Sequence, residues 1–321
     1  MARPRIHVDD AAKMRAYRER KKRESFRNAS ALLNTKDSIE VNRPALRYFG
    51  GKWRIADWII AQFPPHICYV EPCGGGASVL LRKPPSKFEV LNDLDDDVIN
   101  FFEILRLQPH DLIRAIQLTP YAREELSRAK SDNTSVLPLE RARLFYIRCW
   151  QSFGSGTGKT GTGWRFQVGR GEDSRASAIG QWNTTDHLLP IIKRLKQVQI
   201  EHNDALAVIR RYDGPKTLFY VDPPYLHSTR HKDSARKGYQ FEMTDQDHID
   251  LSQALKAVNG MVILSGYNSE LYDHLYENWR RMDRDTNDQL GQTQTESIWL
   301  SPRTVELGAL PLFGLLESEI K

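Results

Sequence analysis

Cysteine is scarce in this chain, and the few cysteines form no recognisable pattern. The three are Cys68, Cys73 and Cys149, and no CxxC pair or HExxH sequence occurs. Disulfide frameworks and zinc sites usually show such spacings, so the sequence argues against both. We therefore expect a protein of a reducing cytoplasm that holds no structural metal.

Long apolar segments are missing as well. No apolar run approaches the roughly 20 residues that span a bilayer, and residues 1–5 lack the apolar core of a signal peptide. Apolar residues make up 40% of the chain and charged residues 27%, which is typical of an ordinary globular protein. We expect no membrane partner.

Positive charge is in excess and is concentrated in two segments. The net charge of +5 allows a polyanionic partner without establishing one. One basic group lies between residues 141 and 175, and the other lies in residues 1–42, which look separate from the rest. The 10–25 region of this extension can be helical but has too few apolar residues to bury a stripe. On charge alone it is equally an arm lying on nucleic acid or a solvated tail.

Strand and helix patterns alternate over residues 43–106 and again over 186–321. Such alternation predicts a parallel sheet with right-handed crossovers. Its strands are expected at 67–70, 88–91, 198–200, 217–221 and 261–264, with an antiparallel closing pair at 280–285 and 295–300. Helices are expected at 52–63, 77–82, 96–106, 109–117, 121–130, 139–151, 205–211 and 244–257. Residues 107–185 break the alternation with three helical patterns and a glycine-rich polar stretch, and we predict that they form an inserted domain.

The sequence Asp222-Pro223-Pro224-Tyr225 follows the buried-strand pattern at 217–221. An acid at the carboxyl end of a strand lies where open α/β sheets bind ligands. The prolines stiffen the turn and donate no N–H, so the Asp222 carboxylate and the Pro223 carbonyl can both accept hydrogen bonds from an NH2 group. Tyr225 offers a face on which a nucleobase can stack. Alone, these residues favour an ordinary Asp-Pro turn, but the remaining motifs reverse that interpretation.

Residues 69–78, Tyr-Val-Glu-Pro-Cys-Gly-Gly-Gly-Ala-Ser, read as a strand, a glycine turn and a helix start. Glycines let the backbone approach a ligand closely, although the dinucleotide pattern GxGxxG is absent. The next strand pattern ends at Asp93, where an acid typically accepts hydrogen bonds from ribose hydroxyls. The two features together indicate an adenosine-containing ligand.

Residues 47–52, Arg-Tyr-Phe-Gly-Gly-Lys, place an aromatic and a basic side chain around a Gly-Gly turn. One interpretation is a helix entry with a staple-like aromatic. The other is that Tyr48 covers a sulfonium ligand and that Lys52 meets its carboxylate.

In this order the motifs resemble those of the Dam-like DNA N6-adenine methyltransferases, also called class D12. Residues 48–52 match the family's aromatic-x-Gly-Gly-Lys motif, 71–78 its cofactor loop, 92–93 its acidic strand end and 222–225 its Asp-Pro-Pro-Tyr. The similarity covers about residues 44–301. A cofactor loop followed by a long insertion and then the tetrapeptide is the family's alpha arrangement, in which the insertion carries target recognition.

The resemblance implies a doubly wound, Rossmann-like α/β sheet of seven strands, one of them antiparallel, with a mainly helical target-recognition insertion. It also implies S-adenosylmethionine as cofactor, double-stranded DNA as partner, and a monomer in the cytoplasm of a bacterium or of a phage-infected cell. The expected catalytic residues are Asp222, Pro223, Pro224 and Tyr225. The expected cofactor-binding residues are Tyr48, Gly50, Lys52, Glu71, Pro72, Gly74, Gly76, Ser78, Asp93, Asp204 and Asp222.

Two departures from the family pattern concern the cofactor and the target. Tyr48 stands where the best-known members carry Trp. Residues 163–170, Gly-Trp-Arg-Phe-Gln-Val-Gly-Arg, differ from the recognition hairpin of GATC-specific members in their base-reading positions, so GATC specificity is not implied. The expected DNA-binding residues are Arg47, Lys159, Trp164, Arg165, Gln167 and Arg170.

A glycine-rich segment at 154–160 resembles a phosphate-binding P-loop. Phe153 occupies the position of the required first glycine, and the segment follows a helix pattern where a strand is needed. We interpret it as a flexible basic loop that becomes ordered on DNA.

Other chemistries remain as alternatives. A methyltransferase acting on RNA or on a protein glutamine is one, but glutamine-modifying relatives usually carry Asn in place of Asp222 and lack a large basic insertion. A non-catalytic nucleic-acid-binding protein that keeps the fold is another, and intact Glu71, Asp93 and Asp222 argue against it.

Overall fold

The computed structural model describes residues 40–131, 136–153, 163–166, 177–229, 239–287 and 293–309. By its internal contacts the chain divides into two units, Met1–Glu40 and Val41–Lys321, and the fold described is that of the second. Residues 1–39 of the N-terminal extension and the P-loop-like segment 154–160 lie outside the described residues.

A seven-stranded sheet forms the centre of the fold, as the sequence and the resemblance predict. Its order is β3-β2-β1-β4-β5-β7-β6. The first five of these strands pair in parallel, and β7 runs antiparallel to both of its neighbours. The strands are β1 Cys68–Glu71, β2 Phe88–Asn92, β3 Val198–Glu201, β4 Thr217–Val221, β5 Met261–Gly266, β6 Arg280–Asn287 and β7 Thr293–Leu300.

The strand order reverses between β1 and β4. From β1 the chain proceeds outward to β2 and β3, and from β4 it proceeds to β5 on the other side. Ligands of doubly wound sheets bind in the crevice beyond the carboxyl ends of the strands at such a switch point. Glu71 ends β1 and Asp222 follows β4, so the topology brings these two carboxylates to one crevice.

The helices that cover the sheet largely follow the predicted pattern. The expected helix over 52–63 is shorter, because residues 53–55 form turns and only the segment from Ala56 is helical. Four short helices (α7, α8, α11 and α12 below) were not predicted. The described helices are α1 Ala56–Ile60, α2 Ser78–Arg82, α3 Asp96–Leu107, α4 Pro109–Gln117, α5 Arg123–Lys130, α6 Pro138–Gln151, α7 Ala178–Trp182, α8 Leu188–Leu195, α9 Ala205–Tyr212, α10 Asp245–Ala257, α11 Glu270–Leu275 and α12 Pro302–Gly308.

Between β2 and β3 the described elements are all helical. Helix α6 packs against α3, α4 and α5, and its aromatic residues are buried: Tyr146 stacks on Phe101 with ring centroids 6.0 Å apart. The Trp182 indole donates a hydrogen bond to the Thr119 carbonyl at 2.9 Å. The predicted mainly helical character of this region is therefore confirmed.

A buried ion network supports the glycine turn from behind. The Arg194 guanidinium, 2% exposed, donates to both oxygens of Glu89 and to the Leu80 carbonyl in α2 at 2.9 Å. Lys83 also contacts Glu89. Because α2 begins directly after the glycine turn, this network fixes the helix against which the turn is set.

Replacing Arg194 with Met should destabilise the protein by about 3 kcal/mol, because breaking a buried ion pair leaves a charge without its partner. Urea unfolding followed by circular dichroism measures the change. Arg211 is a matched control, since its ion pair with Glu201 is largely exposed. Arg211→Met should lower the free energy of unfolding by less than about 1 kcal/mol. Equal losses in the two variants would contradict the structural role of Arg194.

Candidate active site

A cavity of about 270 Å³ opens beyond the carboxyl ends of β1, β2 and β4. All of the residues predicted to bind a cofactor line it, and Pro224 of the predicted catalytic tetrapeptide joins them. The structure therefore brings together one set of residues from four separate sequence motifs. These residues are Tyr48, Gly50, Lys52, Glu71, Pro72, Gly74, Gly76, Ser78, Asp93, Asp204 and Asp222.

The glycine turn after β1 is closely packed against Tyr48. Gly75 has a φ of +49°, a conformation that side chains with a Cβ rarely adopt. A Cβ at Gly75 would lie 2.6 Å from Cε1 of Tyr48. Ala77 also has a positive φ, of 53°, directly before α2. The backbone of this turn is thus exposed to the cavity, and the Tyr48 ring forms an adjoining wall.

Asp93 fastens the glycine turn to the end of β2. Its Oδ2 accepts a hydrogen bond from the Gly75 amide at 2.7 Å, and its Oδ1 accepts one from the Asp95 amide at 2.8 Å. Burial nevertheless raises the pKa of Asp93, with these amide donors opposing the shift. The predicted ribose ligand is thus also a structural link within the site.

Two asparagines, Asn92 and Asn203, also line the cavity and connect parts of its wall. The Asn92 amide donates to the carbonyls of Pro72 and Asn203, at 2.7 and 2.9 Å, and accepts from the Asn203 amide at 2.9 Å. Asp204 caps the N-terminus of α9, where its carboxylate accepts a hydrogen bond from the Ala207 amide at 3.0 Å. Asn92 therefore couples the glycine turn to the loop that carries Asp204.

Glu71 is a buried carboxyl group of the cavity whose pKa is strongly raised. It is 2% exposed, and its Oε1 accepts hydrogen bonds from the Tyr69 hydroxyl and the Leu80 amide, each at 2.7 Å. Burial raises the pKa of Glu71 to about 8, although those two donors oppose the shift. A positively charged ligand beside it would favour the ionised form.

Asp222, which is partly buried, forms an ion pair with the buried Lys52. The Lys52 ammonium lies 3.0 Å from each carboxylate oxygen, but only Oδ2 has hydrogen-bonding geometry. Oδ1 is buried and has no hydrogen-bond partner among the described residues. The Lys52 ammonium also donates to the Gly50 carbonyl at 2.6 Å. Asp222 thus keeps one oxygen ready to accept a hydrogen bond from a ligand.

The pKa shifts of this pair follow from its burial and its charges. Burial raises the pKa of Asp222, and the Lys52 ammonium opposes that rise. Burial lowers the pKa of Lys52, but the negative charges of Asp222 and Glu296 outweigh it, so that the net pKa is raised. Lys52, predicted to meet a ligand's carboxylate, here stabilises the ionised form of Asp222.

Tyr225 is 7% exposed and lies between three partners. The Lys52 ammonium is 4.7 Å from its ring centroid, Tyr267 meets it edge to face at 4.5 Å, and its hydroxyl donates to Oε2 of Glu296 at 2.9 Å. Neither Tyr267 nor Glu296 was predicted. Tyr267 directly follows β5 and Glu296 lies in β7, and only the register of these two strands brings them here.

Three of the predicted DNA-binding residues are described. Arg47 has a buried Nη1 with no hydrogen-bond partner among the described residues, and burial together with the nearby Arg165 charge lowers its pKa to about 10. Arg165 donates to Gln181 at 3.1 Å, and Trp164 packs on Tyr121 with centroids 5.5 Å apart. The other predicted residues, Lys159, Gln167 and Arg170, lie outside the described part.

Within the described part of the chain no cluster of three or more potential metal ligands is found. In the same residues no helix is long and apolar enough to cross a bilayer.

Some residues that line the cavity were not among the predicted site residues. The three consecutive glycines of the sequence could have predicted Gly75 as a lining residue. No motif in the neighbouring sequence predicts Tyr239 and Phe241, which follow the undescribed residues 230–238. The additional lining residues include Phe49, Gly75, Asn92, Asn203, Tyr239 and Phe241.

Replacing Glu71 with Gln should stabilise the ligand-free protein more at pH 9 than at pH 6. The pKa of Glu71 is raised from 4.5 to about 8. The folded state therefore carries a penalty that grows as the pH rises from about 4.5 to about 8 and is constant above that. Gln removes this penalty. Thermal unfolding at both pH values measures it, and a gain that is equal at the two values would contradict the raised pKa.

Known bacterial and phage proteins are similar to part of this chain. The DNA adenine methylase of Serratia marcescens is 32% identical over 114 residues, 33% of this chain and 41% of that protein. The DNA adenine methylase of Escherichia coli K12 is 30% identical over 112 residues, 33% and 40% of the two chains. The DNA N-6-adenine-methyltransferase of Escherichia phage P1 is 31% identical over 78 residues, 24% and 10% of the two chains.

The alignments thus span about two fifths of the length of the bacterial relatives. A family profile covers far more of the sequence: that of the D12 class N6 adenine-specific DNA methyltransferases matches residues 48–290. That range contains each of the motifs whose residues meet in the cavity. With well over half of its length matched, this chain belongs to the D12 class N6 adenine-specific DNA methyltransferase family.

Proposed function

We propose that this protein transfers a methyl group from S-adenosylmethionine to the N6 amine of adenine in double-stranded DNA. The observation that carries the proposal is the buried Oδ1 of Asp222, which has no hydrogen-bond partner among the described residues and adjoins a glycine-walled cavity. Family membership and the names of the relatives support the same chemistry.

The cavity fits an adenosyl sulfonium. Asp93 ends a strand next to the glycine turn and suits ribose hydroxyls. Tyr48 adds an aromatic wall, and the missing Cβ of Gly75 lets the turn approach the Tyr48 ring closely. Glu71 and Asp222 supply negative charge that a sulfonium and an ammonium group would offset. When bound, S-adenosylmethionine supplies an activated methyl group, so the protein needs to provide mainly alignment and electrostatics.

Asp222 and Pro223 prepare the amine for attack. The lone pair of adenine N6 is delocalised into the ring, which makes N6 a poor nucleophile. Hydrogen bonds from the two N6 protons to Asp222 Oδ1 and to the Pro223 carbonyl favour a pyramidal nitrogen whose lone pair is directed at the methyl group. Lys52 holds Oδ2 and so orients Oδ1. The carboxylate also stabilises the positive charge that develops on N6.

The target adenine must leave the duplex to reach this buried carboxylate. Base flipping costs a few kcal/mol, and stacking on an aromatic ring returns about 1–3 kcal/mol per base. Tyr225 lies directly after the prolines of the tetrapeptide, and we assign it this stacking role. The Lys52 ammonium over its ring adds a cation–π contact that restricts the ring's position.

Arg47 and Arg165 support DNA as the partner. The Arg165 charge lowers the pKa of Arg47, so an anion near the two guanidinium groups would relieve their repulsion. A phosphate would satisfy the Nη1 of Arg47, which has no hydrogen-bond partner among the described residues. We place Arg47 on the DNA backbone and retain base reading for Arg165 with Gln167, since arginine and glutamine pair with guanine and adenine edges. We also place the protein in the cytoplasm of a bacterium or phage-infected cell, as a monomer.

Replacing Asp222 with Ala or Asn should lower the methylation rate by at least about 100-fold, because the lost acceptor acts on N6 in the transition state. Mass spectrometry of nucleosides from DNA incubated with the protein and S-adenosylmethionine measures N6-methyladenine. DNA binding should change little. Asp213 is a suitable control, because it hydrogen-bonds the 259–260 backbone and does not line the cavity.

Near wild-type turnover in both Asp222 variants would reject this site. The same assay separates the alternatives. Methyl transfer only to RNA or to a protein glutamine would replace DNA as the substrate. Binding of nucleic acid without any binding of S-adenosylmethionine would identify a non-catalytic protein.

Arg47→Gln should weaken binding to all DNA sequences and reduce the slope of log affinity against log salt by about 0.9, the value for one lost phosphate contact. Arg165→Gln should instead relax the methylated motif. Fluorescence anisotropy at several salt concentrations and sequencing with modified-base detection measure the two effects. Arg303, whose guanidinium contacts the Pro215 carbonyl near the start of β4, provides a control. A changed motif in Arg47→Gln with an unchanged motif in Arg165→Gln would refute the assignment.

A further inference from the structure

Glu296 lies in β7, outside the 48–290 range that matches the family. Its Oε2 accepts a hydrogen bond from the Tyr225 hydroxyl at 2.9 Å. Its neighbours in sequence, Thr295 and Ser297, instead bond to Asp285 and Asp283 of β6. Side chains alternate between the faces of a strand, so Glu296 is directed away from those contacts and toward the active site.

A second tyrosine meets the same carboxylate. Tyr267 follows the last residue of β5, Gly266, which pairs with Ser297 in the sheet. Hydrogen bonds from Tyr225 and Tyr267 both act to lower the pKa of Glu296, although burial dominates and raises it. The two tyrosine rings contact each other edge to face, with centroids 4.5 Å apart and an interplanar angle of 75°. One carboxylate thus holds the hydroxyl groups of two touching rings.

The charge of Glu296 also belongs to the site. It raises the pKa of Lys52 together with Asp222, and the Asp222 charge acts on Glu296 in turn. Two carboxylates therefore share one ammonium group. With Glu296 ionised, Lys52 does not fully neutralise Asp222, and the pair retains negative charge next to the place where N6 becomes positive.

We propose that Glu296 is a positioning residue, which holds Tyr225 and Tyr267 as a fixed aromatic corner for the flipped adenine. This inference rests on the proposed function. A tyrosine ring has two rotatable side-chain bonds, and anchoring its hydroxyl restricts both of them. The flipped base then meets a surface that is already oriented. Without the anchor, ordering that ring adds to the cost of flipping.

The location of Glu296 distinguishes its proposed positioning role from a general contribution to folding. The buried hydrophobic residues of β7 are Ile298, Trp299 and Leu300, and they come after Glu296. Glu296 itself is only partly buried as a residue, and it is not among the residues that line the cofactor cavity. Its replacement by the isosteric Gln should therefore leave S-adenosylmethionine affinity within about 3-fold of wild type.

The experiment compares Glu296→Gln, Tyr225→Phe, Tyr267→Phe and the Glu296→Gln/Tyr225→Phe double variant. Single-turnover methylation measures the rate, and 2-aminopurine fluorescence measures flipping in a duplex that carries this base at the adenine methylated by the wild type. Glu296→Gln should slow methylation about 10- to 100-fold, the range for a lost charge-assisted hydrogen bond, and should reduce the fluorescence rise. Asp283→Asn is the matched control, because it removes an acid that accepts from Ser297 in the same strand.

The double variant decides whether the residues act as a unit. We expect it to be about as slow as the slower single variant, because both changes break the same contact. The proposal would be overturned if the rate loss of the double variant equalled the product of the two single-variant losses. Normal methylation and normal base flipping in Glu296→Gln would also overturn it. The tyrosine variants keep every carboxylate, so they test the same hydrogen bonds should Glu296→Gln fold poorly. Failure of the proposed function looks different: the wild type itself would then transfer no methyl group to DNA.

Discussion

The Lys52 ammonium joins two parts of the site that are 170 positions apart in the chain. It donates to Asp222 after β4 and to the Gly50 carbonyl in the loop that precedes α1. A buried ion pair gains stability from good geometry and from additional hydrogen bonds, and the ammonium donates one hydrogen bond to each of these two partners. The position of the loop, the orientation of Asp222 and the contact with the Tyr225 ring all depend on this one group.

The charges of the described site residues do not balance one another. Glu71, Asp93 and Asp222 each have a raised pKa, chiefly because they are buried, and the Lys52 ammonium contacts Asp222. Such an arrangement costs folding free energy and is typical of functional sites, where it is offset when a ligand of complementary charge binds. A sulfonium donor with an ammonium group has that complementary charge, which links the site's instability to its proposed substrate.

Local sequence patterns predicted the elements that carry the chemistry. Strand β4 has its predicted bounds of 217 and 221. Its β-branched and aromatic residues favour a strand, and the Gly-Pro before it and the Pro-Pro after it limit its length. Helix α8 was missed, although Leu188, Ile191, Ile192 and Leu195 have helical spacing and are buried. Pro190 interrupts that pattern in the sequence, yet it lies in the first turn, where a missing N–H costs nothing.

Contacts between side chains that are far apart in the chain could not be predicted from the sequence. The motif containing Lys52 predicted a residue of the cofactor cavity, and the side chain does line it, but its partner Asp222 is set by the topology of the sheet. Glu296 carries no motif at all, and only the antiparallel register of β5 and β7 brings it to the Tyr225 hydroxyl. Side chains that act through distant partners become visible only once strand order and register are known.

The most direct test of this account measures the pKa of Asp222 with and without Lys52. Carbon-13 NMR of protein labelled at aspartate carboxyl groups, with the signal assigned through Asp222→Asn, follows the titration in wild type and in Lys52→Met. The account predicts a higher pKa in Lys52→Met, because burial raises the pKa of Asp222 and the Lys52 ammonium is the main opposing influence. An unchanged or lower pKa would show that Lys52 does not hold the carboxylate in its ionised form, and would contradict the central role of this ion pair.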